Sequence, residues 1–130
     1  MKLKENIKGI AHIGIPTNDM DRTIEFYKQI GFDLIMETVN EAANERVSFL
    51  RAKSLVIETY ENKQAVMADG AIDHIAVDVD DIEAVYQFLT ENEFEITTLG
   101  IEFLPFWENG VKFCKIAGPN RESIEFCQRL

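Results

Sequence analysis

Apolar and polar positions follow the same order of patterns twice along this chain. From Ile10 to Pro16 the residues alternate with the two-residue period of a strand. An acidic turn follows, and then Met20, Thr23, Ile24, Tyr27 and Ile30 recur at helical spacing. The same sequence of events begins again at Ile72, with Ile82, Val85, Phe88 and Leu89 forming the second helical face. Gly9 to Ile35 aligns without a gap on Ala71 to Thr97 at an offset of 62, so that Ile10, His12, Ile13, Asp19, Phe26 and Phe32 recur as Ile72, His74, Ile75, Asp81, Phe88 and Phe94. Asn18 or Asp19 is positioned to cap the first helix, Asp80 with Glu83 resembles a capping box for the second, and Gly31 suits a left-handed helix end.

Short strand-like runs follow each helix: 33–38, 46–51 and 54–60 in the first half, then 95–98, 111–117 and 123–128 in the second. The prediction is an α+β chain, a single domain over 1–130 made of two βαβββ modules of about 7–62 and about 69–130, with curved mixed sheets. The polar segment 61–70 connects them, either as a loop or with a short helix.

Strand alternation sorts the candidate ligands by face. In the first strand Ala11, Ile13 and Ile15 suit the helix side and leave His12 on the other. In 54–60, Glu58 shares the face of Val56 and Tyr60, opposite Leu55, Ile57 and Thr59. His74 and Glu125 stand likewise, away from Ile75 and Val77 and from Ile124 and Phe126. His12 matches His74 at offset 62; Glu58 matches Glu125 at offset 67 if the Gly118–Arg121 turn is an insertion. The chain has only two histidines, and both fall at one position of the repeat. A pseudo-twofold pairing of the modules would bring two imidazoles and two carboxylates together on a concave face, a donor set for a divalent cation with open positions.

Composition narrows the function. Thirteen Lys and Arg against 23 Asp and Glu give a formal charge of −10, which disfavours nucleic acid and anionic membranes as partners. The amino terminus lacks a signal-peptide pattern, and no apolar run approaches the roughly 18 residues of a membrane span. The expected location is the cytoplasm. Cys114 and Cys127 lie among apolar neighbours and are expected to be reduced and buried.

The opening IAHIGIPTNDMDRTIEFYKQIGF, with the later DHIAVDVDD and GPNRESIEF, resembles the vicinal oxygen chelate superfamily, which includes glyoxalase I, methylmalonyl-CoA epimerases, extradiol dioxygenases and bleomycin-binding proteins. The order His12, Glu58, His74, Glu125 is that of glyoxalase I. The resemblance implies a metal-dependent lyase that converts a 2-oxoaldehyde–thiol hemithioacetal to a 2-hydroxyacyl thioester through an enediolate. It implies one divalent ion per site (Ni, Zn, Co or Mn), Glu125 as the base, Glu58 as its counterpart, and a homodimer whose sites combine modules of one chain or of two. Glutathione is the implied thiol, although neither Arg22, Arg46 nor Lys112 forms a recognisable signature for it. Phe106 and Trp107 in the Leu104–Gly110 segment, with Tyr60, are the candidate walls of a small-molecule pocket. The alternatives are an epimerase or isomerase of a hydroxycarbonyl metabolite or acyl thioester, and a non-catalytic small-molecule-binding protein of drug-resistance type.

Overall fold

In the computed structural model, which describes residues 2–130, the chain runs α1 (Leu3–Asn6), β1 (Ile13–Pro16), α2 (Met20–Gln29), β2 (Asp33–Asn40), β3 (Glu45–Ala52), β4 (Leu55–Tyr60), β5 (Ile75–Asp78), α3 (Ile82–Glu91), β6 (Glu102–Leu104), β7 (Val111–Ala117) and β8 (Ser123–Arg129). It divides after Ala65 into two compact units. Each holds a four-stranded mixed sheet, ordered β1-β4-β3-β2 in the first and β5-β8-β7-β6 in the second. In both, the strand before the long helix runs parallel to the last strand, and the remaining pairs are antiparallel. This is the α+β arrangement expected from the doubled pattern. Among the described residues no helix is long and apolar enough to cross a membrane.

The helices start alike because their sequences do. The Asp19 carboxylate accepts from the Arg22 N–H at 3.1 Å, and Asp81 accepts from the Ala84 N–H at 3.0 Å. Asp81, one residue later than the capping box expected from Asp80, is therefore the cap of α3. Asn18 instead accepts the Ala65 N–H. A second tie reaches each helix from just beyond or within the last strand of its unit: Glu61 Oε2 accepts the Met20 N–H at 2.6 Å and Gln128 Oε1 the Ile82 N–H at 2.9 Å. Both satisfy donors that a helix N-terminus leaves unpaired.

Each core lies between its helix and one face of its sheet. In the first unit Met20, Ile24 and Tyr27 bury against Val47, Leu50 and Ile57. The Met20 sulfur accepts the Ser48 and Thr59 hydroxyls at 3.2 and 3.1 Å, so two buried polar side chains of the sheet find their partner in the helix. In the second unit Ile82 and Leu89 meet Val111, Cys114, Ile116, Ile124 and Phe126. Each fully buried aliphatic side chain contributes about 1.5–3 kcal/mol. Phe88, expected on this face, is 44% exposed. It lies one residue, about 100°, round the helix from Leu89, and its ring meets Phe94 at 6.0 Å instead of the sheet.

The second unit departs from the first after its helix. The strand expected at 95–98 is reduced to a single bridge, Ile96 to Ile116. The Thr98 hydroxyl takes the Lys115 N–H at 3.2 Å, in place of a backbone carbonyl, and Gly100 then turns at φ 98°. The edge strand forms only at Glu102–Leu104, so Leu104 ends a strand and the aromatic loop begins at Pro105. Register shows where the repeat gains residues. Leu50 pairs with Ile57 and Ile116 with Ile124, so the offset has already reached 66 at β7 and becomes 67 at β8. The Gly118–Arg121 turn thus adds one residue, and the four others lie between α3 and β7.

Residues 61–74 contain no regular helix or strand. The seven-residue strands expected at each module's start shorten to four, because β1 pairs only with β4 and β5 only with β8. His12 and His74 each stand immediately before their strand.

Candidate metal and substrate site

Each unit brings one histidine to one glutamate on the sheet face away from its helix. In the first, Glu58 of β4 lies beside Gly14 of β1, and His12 Nε2 is 3.8 Å from Glu58 Oε1. In the second, Glu125 of β8 lies beside Ala76 of β5, and His74 Nε2 is again 3.8 Å from Glu125 Oε1. Gly14 and Ala76 keep the space over the strand short of side chain; a methyl group at Gly14 would stand 3.8 Å from Glu58 Oε1, an ordinary contact. The alternating burial of β4 and β8 turns Ile57 and Thr59, or Ile124 and Phe126, into the core and leaves the glutamates half-buried on the other side.

The separation of 3.8 Å is too long for a hydrogen bond. It lies within the span of about 4.2 Å available to two ligands that each stand about 2.1 Å from one cation. Imidazole nitrogen with carboxylate oxygen is a donor set for borderline and harder divalent ions. The pairs therefore fit a metal ion as ligand arms of two. Among the described residues no three or more His, Cys, Asp or Glu side chains gather at one point.

The two histidines are held differently. His74 Nδ1 donates to Asp73 Oδ2 at 2.8 Å, which leaves the Nε2 lone pair on the side of Glu125. The hydrogen bond from His74 lowers the pKa of Asp73 from the ordinary carboxylate value, with the Lys115 ammonium at 3.9 Å adding to this. His12 has Ala11 in place of Asp73 and is set by the ring of Phe49, edge-on at 5.5 Å. Asp73 was not among the residues expected from sequence, yet it directly precedes His74. Its role is hidden in a strand pattern, where neighbouring side chains point apart, and becomes visible because His74 stands outside β5.

His74 and Glu125 also line a cleft of about 460 Å³ in the second unit, walled by Phe106, Trp107, Phe113 and Leu104. The 105–110 loop holds its shape through Trp107 at φ 62° and Gly110 at φ 89°; a side chain on Gly110 would run into the Phe103 ring. Arg129 and Lys115 reach the same cleft. Tyr60 lies in the first unit, on the Glu58 face of β4, with its ring 3.5 Å from where a Gly14 methyl would stand. It is not part of this cleft.

Neither cysteine is poised for thiol chemistry. Both are free; burial and then the Glu125 charge push Cys114 up to about 11, and the same causes raise Cys127. The reduced state expected for both holds, although Cys127 is only half-buried.

The sequence model of the Glyoxalase/Bleomycin resistance protein/Dioxygenase superfamily matches residues 9–102. The uncharacterized protein YwbC of Bacillus subtilis (strain 168) is 30% identical over 129 residues, spanning 94% of this chain and 98% of that protein. Among solved structures, a glyoxalase family protein from Enterococcus faecalis superposes with a TM-score of 0.79 at 24% identity, covering 94% of this chain and 98% of the other. The trypanothione-dependent glyoxalase I of Leishmania major gives a TM-score of 0.75 at 22% identity, covering 94% and 87%.

Proposed function

Because this chain belongs to the Glyoxalase/Bleomycin resistance protein/Dioxygenase superfamily, we propose that it is a metal-dependent lyase of glyoxalase I type, converting a 2-oxoaldehyde–thiol hemithioacetal to a 2-hydroxyacyl thioester. The observation that carries this reading is the His–Glu pair repeated at 3.8 Å in each unit. The two pairs, His12 with Glu58 and His74 with Glu125, would supply the ligands of a divalent cation, with Ni, Zn, Co and Mn as the candidates. When bound, that ion supplies Lewis-acid stabilisation of the negative charge that develops on the substrate's neighbouring oxygens.

The chain's own residues move the proton. Glu125, with its side chain 15% exposed against 28% for Glu58, is the better shielded carboxylate and faces the apolar cleft. It takes the proton from the hemithioacetal carbon. The freed electron pair forms a double bond to the adjacent carbonyl carbon, whose own pair moves to oxygen. Return of a proton to that second carbon, by Glu125 or by Glu58 as its counterpart, and passage of the hydroxyl proton of the first carbon to the oxygen of the second give the 2-hydroxyacyl thioester. The product is an isomer of the substrate, so no oxidant or reductant is needed. Asp73 keeps the His74 ring oriented throughout. Phe106 and Trp107 hold the organic part of the substrate and exclude water, and we assign Tyr60 the corresponding place beside Glu58.

The test is reconstitution of the metal-stripped chain with each cation, followed by the methylglyoxal hemithioacetals of glutathione and of other low-molecular-weight thiols, with thioester absorbance as the readout. The reading expects one cation per chain, a dimer of this chain by light scattering, and turnover lost in Glu125→Gln. Stoichiometric cation without turnover on any thiol would replace the lyase by an epimerase or isomerase, which would use the same two carboxylates. Absence of cation binding would leave a non-catalytic small-molecule-binding protein.

A further inference from the structure

The cleft of the second unit contains a cation that the proton transfer does not use. Of the four Lys and Arg residues after Ala65, Lys112 pairs with Glu83, Lys115 with Asp73 and Arg121 with Glu95. Arg129 has no carboxylate within ion-pair distance among the described residues, in a chain with 23 acidic residues. Its guanidinium instead lies 4.0 Å from the centre of the Trp107 ring. Stacking of this kind fixes the plane of the guanidinium and leaves its edge N–H groups free to form a fork of donors.

The stack is built into the backbone. Trp107 takes a left-handed conformation that residues with a side chain rarely adopt. The strand end that carries Arg129 is tied to the same loop: the Leu130 N–H donates to the Gly110 carbonyl at 3.0 Å, and Asn109 Nδ2 donates to the Leu130 carbonyl at 3.4 Å. Along β8, Glu125 and Arg129 share a face, and four residues of strand separate their Cα atoms by about 13 Å. Apolar side chains line the interval.

We infer that Arg129, laid on Trp107, anchors a carboxylate of the substrate at the end of the cleft remote from His74 and Glu125. This rests on the reading that the cleft holds the substrate. It adds that the substrate is an acid whose charge lies several atoms from the reacting carbon, joined to it by an apolar segment. Lys115 is the weaker anchor because Asp73 already answers its charge.

Trp107 is the only tryptophan of the chain, so its fluorescence reports occupancy of this end of the cleft without turnover. The probes are 6-(benzylthio)hexanoate and its neutral amide, titrated into the metal-loaded protein. The acid is expected to bind roughly tenfold or more tightly than the amide, a preference lost in Arg129→Gln, partly kept in Arg129→Lys and kept in Lys115→Gln. Circular dichroism of each variant checks that the fold is unchanged. Equal affinity for acid and amide, a preference that survives Arg129→Gln, or failure of the acid to bind would overturn the inference. Loss of the lyase reading through absent turnover, with the acid preference intact, would leave it standing.

Discussion

Glu93 occupies at the end of α3 the left-handed backbone position that Gly31 occupies at the end of α2. Their φ angles are 59° and 97°, and the two residues are 62 positions apart, the offset of the repeat itself. A left-handed helix end favours glycine because a Cβ there crowds the following carbonyl. Glu93→Gly is expected to stabilise the protein by about 1 kcal/mol, and Gly31→Ala to destabilise it by about the same amount. Urea denaturation of both variants checks the pair, and the same sign for both would refute the equivalence.

Replacing Met20 by Leu keeps the volume of the core but removes the acceptor for two hydroxyls. Ser48 and Thr59 are fully buried, and each donates to the Met20 sulfur. The expected loss is about 1–3 kcal/mol, above the usual range for a Leu–Met exchange. Adding Ser48→Ala and Thr59→Val should restore most of it. No restoration would mean that the sulfur contacts carry no energy of their own.

Arg46 bridges Asp21 of α2 and Glu37 of β2 at 2.9 and 3.0 Å. Its hydrogen bond and charge lower the pKa of Asp21 below 3.8. A carboxylate whose pKa falls on folding stabilises the native state above its unfolded value and loses that contribution as the pH falls through the folded value. The small stability difference between the parent and Asp21→Asn should therefore be constant from pH 7 down to about 5 and shrink below 3.8. Midpoints measured at pH 7, 4 and 3 test the sign; a difference that grows on acidification would contradict it.

The thiols supply a prediction of reactivity. With Cys114 buried and pushed up to about 11, and Cys127 raised, little thiolate is present near neutral pH. A disulfide reagent should modify the native protein roughly tenfold or more slowly than the unfolded chain. Rapid native modification of two thiols per chain would refute this.

The roles proposed for the two carboxylates are separable by experiment. Glu125→Gln should lower kcat on the turned-over hemithioacetal by about 10²–10⁴-fold while the fold and the Trp107 signal persist. Glu58→Gln should weaken metal binding together with turnover. Equal and small effects of both would remove the assignment of Glu125 as base.

The fold was legible because both modules write it in the same way. Asp19 and Asp81 cap, Met20 and Ile82 open the buried stripe, and the alternation of β4 and β8 turns Glu58 and Glu125 from the core. What stayed hidden depends on side chains that replace backbone partners. Thr98 ends the ladder begun by Ile96, and Gln128 completes the α3 terminus from a distant strand. The role of Arg129 was equally invisible, since its partner is the face of Trp107 and no pattern of spacing links them.

Each sheet assigns its two sides to different tasks. The side under the helix carries the buried residues that hold the unit together, and the opposite side carries His12 with Glu58 or His74 with Glu125. Mutational tolerance should divide in the same way. Changes at the four histidine and glutamate positions would alter chemistry without unfolding the chain, whereas changes at Met20, Leu50, Ile82 or Ile124 would unfold it before they reached the chemistry. A scaffold partitioned in this manner can exchange one reaction for another during descent while its architecture stays fixed.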